Sequence, residues 1–228
     1  TNGNANNVAF DRRQPNIVQY WTPNLAGFTG RVAVAAAEST NGRGTLRSGA
    51  LMYRNGPIYL SAAHEIHQNY QNSNKDDKGT RLGASYKIGP AIVNGVYERL
   101  QYETPTGDIK RNAWFLATAY QIGAMSLRGQ YGKANNGTGS SIPGCAVPAA
   151  CKVGNLSNQA ESGAKQWTVG GAYSFSKRTD LVGYYTKIDN EKNGTYNFDS
   201  SAYFPVGTTT TLPGSDRSGF ALGVKHLF

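Results

Sequence analysis

Apolar residues alternate with small or polar ones along segment after segment of this chain. A period of two held over about ten residues fits β-strands with two unlike faces and no other regular structure. From Gln166 to Ser176, Trp167, Val169, Gly171, Tyr173 and Phe175 fall on one face. Gln166, Thr168, Gly170, Ala172 and Ser174 fall on the other. The segment from Asn112 to Gly123 repeats the pattern with Trp114, Leu116, Thr118, Tyr120 and Ile122. The spacing predicts eleven such strands, near 16–22, 28–38, 47–55, 57–68, 80–88, 91–103, 109–122, 124–133, 165–175, 178–189 and 218–228. Helical periodicity is nowhere sustained.

The connections fall into two kinds. Tight turns are expected at Pro23-Asn24-Leu25-Ala26-Gly27, Arg54-Asn55-Gly56-Pro57, Ile88-Gly89-Pro90, Ile122-Gly123 and Ser174-Phe175-Ser176-Lys177, where Gly, Pro and Asn supply turn chemistry. Longer loops rich in Asn, Gly, Ser, Thr and Asp are expected at 39–46, 69–79, 134–164 and 190–217, with a short one near 104–108. On this reading short and long connections alternate strictly, so the hairpins share one short rim and one long rim. A β-sandwich would bury one large apolar face and has no reason to sort its loops by length. A transmembrane antiparallel β-barrel does both: its apolar face meets lipid, its aromatic residues sit near the two interfaces, and its long loops gather on one side.

Composition agrees. Of 228 residues, 28 are glycine and 14 tyrosine, and only 16% are charged, a balance unlike that of a soluble α/β enzyme. The small-residue run from Arg31 to Ala37 is far shorter than the roughly 18 apolar residues of a membrane helix. A mean hydropathy of −0.49 does not oppose a barrel, because the two faces of each strand cancel.

The formal net charge is +9, yet Lys and Arg are scattered singly, without the dense basic tract that nucleic-acid binding leaves. Cys145 and Cys151 fit a small disulfide-closed loop in an oxidising compartment, with a pair of free loop thiols as the alternative. His64-Glu65-Ile66-His67 is one residue short of the zinc-helix spacing, and alternation sends its histidines to opposite faces, so no metal is expected. Ser174-Phe175-Ser176-Lys177 has the serine-x-x-lysine spacing of β-lactamases but lies at a turn and lacks a companion Lys-Thr-Gly. Asn74-Lys75-Asp76-Asp77 reads as a solvated loop before it reads as a calcium site. No nucleophile, base and orienting acid share one wall, so neither an enzyme nor a cofactor is expected.

The last segment, Gly219-Phe220-Ala221-Leu222-Gly223-Val224-Lys225-His226-Leu227-Phe228, resembles the terminal strand of Gram-negative porins, which ends in phenylalanine and acts as the barrel-assembly signal. Asn16-Ile17-Val18-Gln19-Tyr20-Trp21-Thr22-Pro23-Asn24-Leu25-Ala26-Gly27-Phe28 and Tyr173-Ser174-Phe175-Ser176-Lys177-Arg178-Thr179-Asp180-Leu181 are similar to porins of β-proteobacteria and Neisseria. That family usually carries an arginine and an aspartate where Gln19 and Trp21 stand here, so one pore-facing charge of the relatives is absent. The resemblance implies a sixteen-stranded trimeric barrel integral to the bacterial outer membrane, of which 16–228 supplies strands six to sixteen. It implies one barrel domain over 1–228, with 1–15 as the end of the constriction loop, Arg12 and Arg13 at its exit, and earlier strands missing before the loop-like run Thr1–Asn7. The partners it implies are two further copies, outer-membrane lipid and lipopolysaccharide, the barrel-assembly machinery at Phe228, and small ions and solutes.

If Phe228 meets lipid, alternation turns Lys225 inward, and the apolar face of each other strand turns inward Arg31, Arg54, Arg81, Lys87, Arg111 and Arg128, with Glu65 and Glu98 as the clearest inward acids. A charge on the lipid face near the midplane costs about 2–4 kcal/mol, so the inward assignment is also the cheaper one. The function expected is a water-filled channel for passive diffusion of small hydrophilic solutes, preferring anions. One alternative is a substrate-specific anion channel for phosphate or organic acids, which needs a converging ladder of arginines or aromatics. Another is a non-conducting adhesin-like barrel built around the long loops, against which the small inward residues Ala117, Ala119, Gly170 and Ala172 speak.

Overall fold

The computed structural model describes residues 10, 16–36, 44–69, 74–105, 107–139, 152–153, 156–157, 159–198 and 212–228. Arg12, Arg13, Cys145 and Cys151 lie outside the described residues.

The long strands are β1 (Ile17–Trp21), β2 (Phe28–Ala35), β3 (Thr45–Asn55), β4 (Ile58–Gln68), β5 (Asp76–Ile88), β6 (Ala91–Thr104), β7 (Gly107–Ile122), β8 (Met125–Ala134), β12 (Ala164–Ser176), β13 (Thr179–Asn190) and β14 (Arg217–His226). Each pairs antiparallel with the next in one sheet, ordered β1-β2-β3-β4-β5-β6-β7-β8-β12-β13-β14. Between β8 and β12 come three two-residue strands: β9 (Thr138–Gly139), which pairs with β7, and β10 (Lys152–Val153) with β11 (Leu156–Ser157), which pair with each other. Among the described residues there is no helix, and β1 and β14 are the two edges of the sheet.

Turn chemistry sets the register. Gly56 before Pro57, Gly89 before Pro90 and Gly123 before Ala124 all have φ between 51° and 55°. A glycine at positive φ in the first central position, followed by a residue at ordinary negative φ, is the type II′ pattern whose twist matches paired strands. Gly27, at φ 94°, has a second reason to be glycine: a Cβ there would stand 2.6 Å from the carbonyl oxygen of Arg54.

Alternation holds along every long strand. One face carries an exposed apolar belt that includes Val18, Val32, Leu51, Leu60, Leu82, Leu116, Leu127, Val169, Leu222 and Val224. So much exposed apolar surface on one face of a sheet has no place in water, and lipid is the solvent that suits it. The buried core sits on the opposite, polar face toward the long-loop rim, where Leu100, Tyr102 and Ile109 cluster and Phe10 packs onto them.

Three expectations change. Residues 76–79 were expected in a loop, but Asp76, Asp77, Lys78 and Gly79 open β5 and pair with Gln68 through Glu65, so their polarity marks strand outside the membrane belt. The expected short loop at 104–108 is a tight hairpin, with Thr104 paired to Gly107, so the long-loop rim has one short connection and the alternation of lengths is not strict. The last strand ends at His226, and Phe228 follows it, fully exposed. Asp76 and Asp77 fall on opposite faces by their place in β5, as do His64 and His67 in β4.

Candidate functional site

The polar face is the candidate site, and the register determines who stands on it. Arg31 pairs with Ala50, Arg81 with Glu98, Arg128 with Ala119 and Lys225 with Asp180, each one residue out of phase with the apolar belt. Arg54, Lys87, Arg111, Glu65 and Glu98 share this face by the same alternation.

Their partners differ in kind. Glu98 is held from two sides: Arg81 donates to its Oε2 from Nε at 3.1 Å and through a second, shorter bond from Nη2, and Arg111 Nη2 lies 3.9 Å from Oε1. Glu65 Oε1 lies 2.6 Å from Nε2 of the fully buried His67. Both acids therefore face a basic partner.

Three arginines instead lean on neutral aromatics. The Arg31 guanidinium sits 4.2 Å over the Trp21 ring and that of Arg54 4.9 Å over the Tyr59 ring. Arg128 donates to the Tyr184 hydroxyl at 2.9 Å. Aromatic faces and hydroxyls position a guanidinium without cancelling its charge. Lys87 and Lys225 make no ion pair among the described residues.

Two elements from outside the long strands reach over this face. Tyr196, between β13 and β14, accepts a 2.5 Å hydrogen bond from Arg111 and is held by Asn190, whose side chain bonds both its backbone N–H (2.9 Å) and its carbonyl (2.9 Å). It borders a hollow of about 410 Å³ together with Arg81, Glu98, Phe115, Gln166 and Ile188. Phe10 stacks on His67 with ring centroids 4.2 Å apart and 16° between planes. A Cβ on Gly79 would stand 2.7 Å from the Phe10 ring, so glycine at that position makes the seat. A second hollow, of about 480 Å³, lies between Phe10, Ile17, Gln19, Arg31, Ser48 and Glu65.

Sequence reasoning left out Trp21, Tyr59, Tyr184 and Tyr196, the partners that aim the arginines, and it left out Phe10. It also passed over Asp180 and Arg217, which share the polar face.

Gly170 shows how tightly one of these pairs is fitted. A Cβ there would meet the Gly183 carbonyl oxygen at 2.3 Å and Tyr184 Cδ1 at 2.4 Å. The Tyr184 ring crosses this gap to reach Arg128. Gly170→Leu is expected to lower unfolding stability by about 1–3 kcal/mol through overpacking, read as an earlier denaturant midpoint, while Gly49→Leu, where nothing lies within 4 Å, should change it far less.

The comparisons agree with this architecture. The family model described as Gram-negative porin matches residues 1–193. Outer membrane porin protein 32 of Delftia acidovorans is 24% identical over 224 residues, covering 95% of this chain and 57% of that protein. Among solved structures, the anion-selective porin from Comamonas acidovorans superposes with a TM-score of 0.75 at 23% identity, over 94% of this chain and 60% of that one. The trimer form of OmpT from Vibrio cholerae gives 0.59 at 12% identity, over 92% and 64%. The chain thus spans about 60% of the length of these first two relatives. A lipid-suited apolar belt, a polar face rich in arginine and a family match over most of the sequence make one conclusion: this chain belongs to the Gram-negative porin family and has its outer-membrane β-barrel fold.

Proposed function

We propose that the protein forms a water-filled channel for passive diffusion of small hydrophilic solutes across the outer membrane, that it prefers anions, and that the polar face described above is the channel wall. The observation that carries this reading is the asymmetry of partners: Glu65 and Glu98 face His67, Arg81 and Arg111, whereas Arg31, Arg54 and Arg128 rest on aromatic groups that leave their charge whole. Fixed positive charge along a low-dielectric wall raises the local anion concentration.

The reading includes a homotrimer, in keeping with the trimeric OmpT to which the fold is similar. It also includes further strands beside β1 and β14, because an open sheet edge in lipid would leave its backbone groups unpaired. The anion preference accords with the anion-selective Comamonas porin, and the surface contacts are expected to be outer-membrane lipid and lipopolysaccharide, with assembly guided by the strand that ends near Phe228.

The test is the reversal potential of the full-length protein in planar bilayers under a tenfold KCl gradient. A potential of anion-selective sign is expected. A cation-selective sign would overturn the anion preference, and no current at all would overturn the channel itself.

A further inference from the structure

Toward the long-loop rim the polar face turns apolar over one small area. Val96, Phe115, Gly132, Gln166 and Ile188 stand side by side on successive strands β6, β7, β8, β12 and β13, each the register partner of the next. One row nearer that rim, on the same face, stand Glu98, Ala113, Ala134 and Ala164. One row the other way the wall is polar again: Asn94, Gln130, Thr168 and Thr186 share it, and the Thr168 hydroxyl accepts from Gln130 at 3.0 Å and donates to Thr186 at 2.8 Å. Three alanines in one row leave depth beside the apolar row, and that depth is the hollow of about 410 Å³.

The borders of the hollow combine flat apolar surface with one surplus positive charge. A Cβ on Gly132 would stand 3.3 Å from Phe115 Cδ2, so glycine there lets the Phe115 ring lie across the strand. Ile188 is buried, and Tyr196 stands against the same space, fixed by Asn190 and by Arg111, whose guanidinium lies 5.5 Å from its ring centroid. Arg81 borders the hollow with its side chain 52% exposed. Its two bonds to Glu98 run from Nε and Nη2, so Nη1 makes no bond among the described residues. Arg81 and Arg111 around the single Glu98 leave a net positive charge at this edge. Water over such a floor finds few partners, and an apolar group that displaces poorly held water gains affinity.

Resting on the channel reading, which makes this face the wall of a wet lumen, we infer that the hollow binds a small aromatic carboxylate on its way through the pore, its ring against Phe115 and Tyr196 and its carboxylate on Arg81. The size suits such a solute, since small-molecule pockets span roughly 300–1,000 Å³ and are mostly apolar, with a few polar groups that fix orientation. Aromatic side chains favour a flat ring over an aliphatic one of equal bulk, through offset or edge contacts. The planar guanidinium matches a carboxylate and forms a charge-assisted bond with it. Chloride and inorganic phosphate gain nothing from the apolar floor, and a neutral aromatic gains nothing from the charge. A site inside a conducting pore must also release its occupant, so the affinity expected is low.

The experiment records the single-channel KCl current of the full-length protein in planar bilayers while benzoate, benzamide, cyclohexanecarboxylate or acetate is added. Benzoate is expected to reduce the current by half at a concentration about tenfold below that of benzamide or acetate, and a few-fold below that of cyclohexanecarboxylate. Arg81→Gln should raise the half-blocking concentration of benzoate by about tenfold. Ala113→Leu, which keeps every charge and fills the hollow, should raise it by a similar factor, and Tyr196→Ala gives the same reading should that variant fail to assemble. Acetate or benzamide acting at the benzoate concentration would overturn the inference, and so would unchanged block in both Arg81→Gln and the variant of the hollow. Equal block by cyclohexanecarboxylate would overturn the assignment to an aromatic ring. A wild-type channel that conducts KCl and ignores benzoate sinks this inference alone, whereas a protein that passes no current sinks the channel reading beneath it.

Discussion

Replacing Arg31, Arg54 and Arg128 together by glutamate is expected to reverse the sign of the reversal potential, from the anion-selective to the cation-selective side. The three are the arginines whose partners are neutral, so each contributes its whole charge to the wall. Reversal of all three removes three positive charges and installs three negative ones. Arg81 and Arg111 stay beside Glu98 and offset it, so they do not restore the original field. A tenfold gradient gives a perfectly selective pore about 59 mV, and the swing between wild type and variant should be tens of millivolts within that bound. Glutamine at the same positions should move the potential part of the way. The effect must also shrink as salt rises, because the screening length falls from about 10 Å at 0.1 M to about 3 Å at 1 M. A triple variant that keeps the wild-type potential at low salt would mean that these residues lie away from the ion path.

The physical reason that much of this molecule is legible from its sequence is that hairpins carry their own register. Once Gly56-Pro57 and Gly89-Pro90 are recognised as two-residue turns, counting outward places Arg54 opposite Tyr59 and Arg81 opposite Glu98. Alternation then assigns a face to every residue of the strand. The same counting fails across the long connection 135–163, so nothing local announces that Tyr184 reaches over Gly170 to Arg128. Nor does any periodicity mark Phe10 or Tyr196, single side chains outside the long strands whose seats are built by residues of the sheet. The start of β5 was hidden for a different reason. Period two is visible only where the two faces meet unlike solvents, and at Asp76–Gly79 the strand has risen past the apolar belt, so its pattern reads as loop. Near Thr104–Gly107 the faces exchange character instead: Arg99, Gln101, Glu103, Asp108 and Lys110 lie on the lipid side and Leu100, Tyr102 and Ile109 on the other, so period two persists to Glu103 and from Ile109, and only the last pairs of the hairpin read as loop.

The two faces themselves can be separated by one pair of neighbouring substitutions. Leu116→Arg is expected to destabilise the folded barrel in lipid by about 2–4 kcal/mol, the cost of a cation on the lipid face near the midplane. Leu116 is 52% exposed, lies between Trp114 and Tyr120 on the apolar face of β7, and pairs with Gly95 and Tyr131, neither of which offers a counter-charge. Ala117→Arg, one residue on, points to the polar face, where its register partners are Asn94 and Gln130. There the guanidinium can remain hydrated, so stability should change by well under 1 kcal/mol. The second substitution should register in transport instead: a smaller conductance, because a long side chain replaces a methyl group, and a reversal potential moved further to the anion side. Denaturant-dependent folding into lipid vesicles gives the first quantity and planar bilayers give the second. If both variants lost stability equally, the face opposite the apolar belt would be packed and dry, and a channel wall could not run along it. If Ala117→Arg alone altered conductance while Leu116→Arg alone weakened folding, the boundary between lipid and water would be fixed to a single peptide bond of β7, and every other strand would follow from its register.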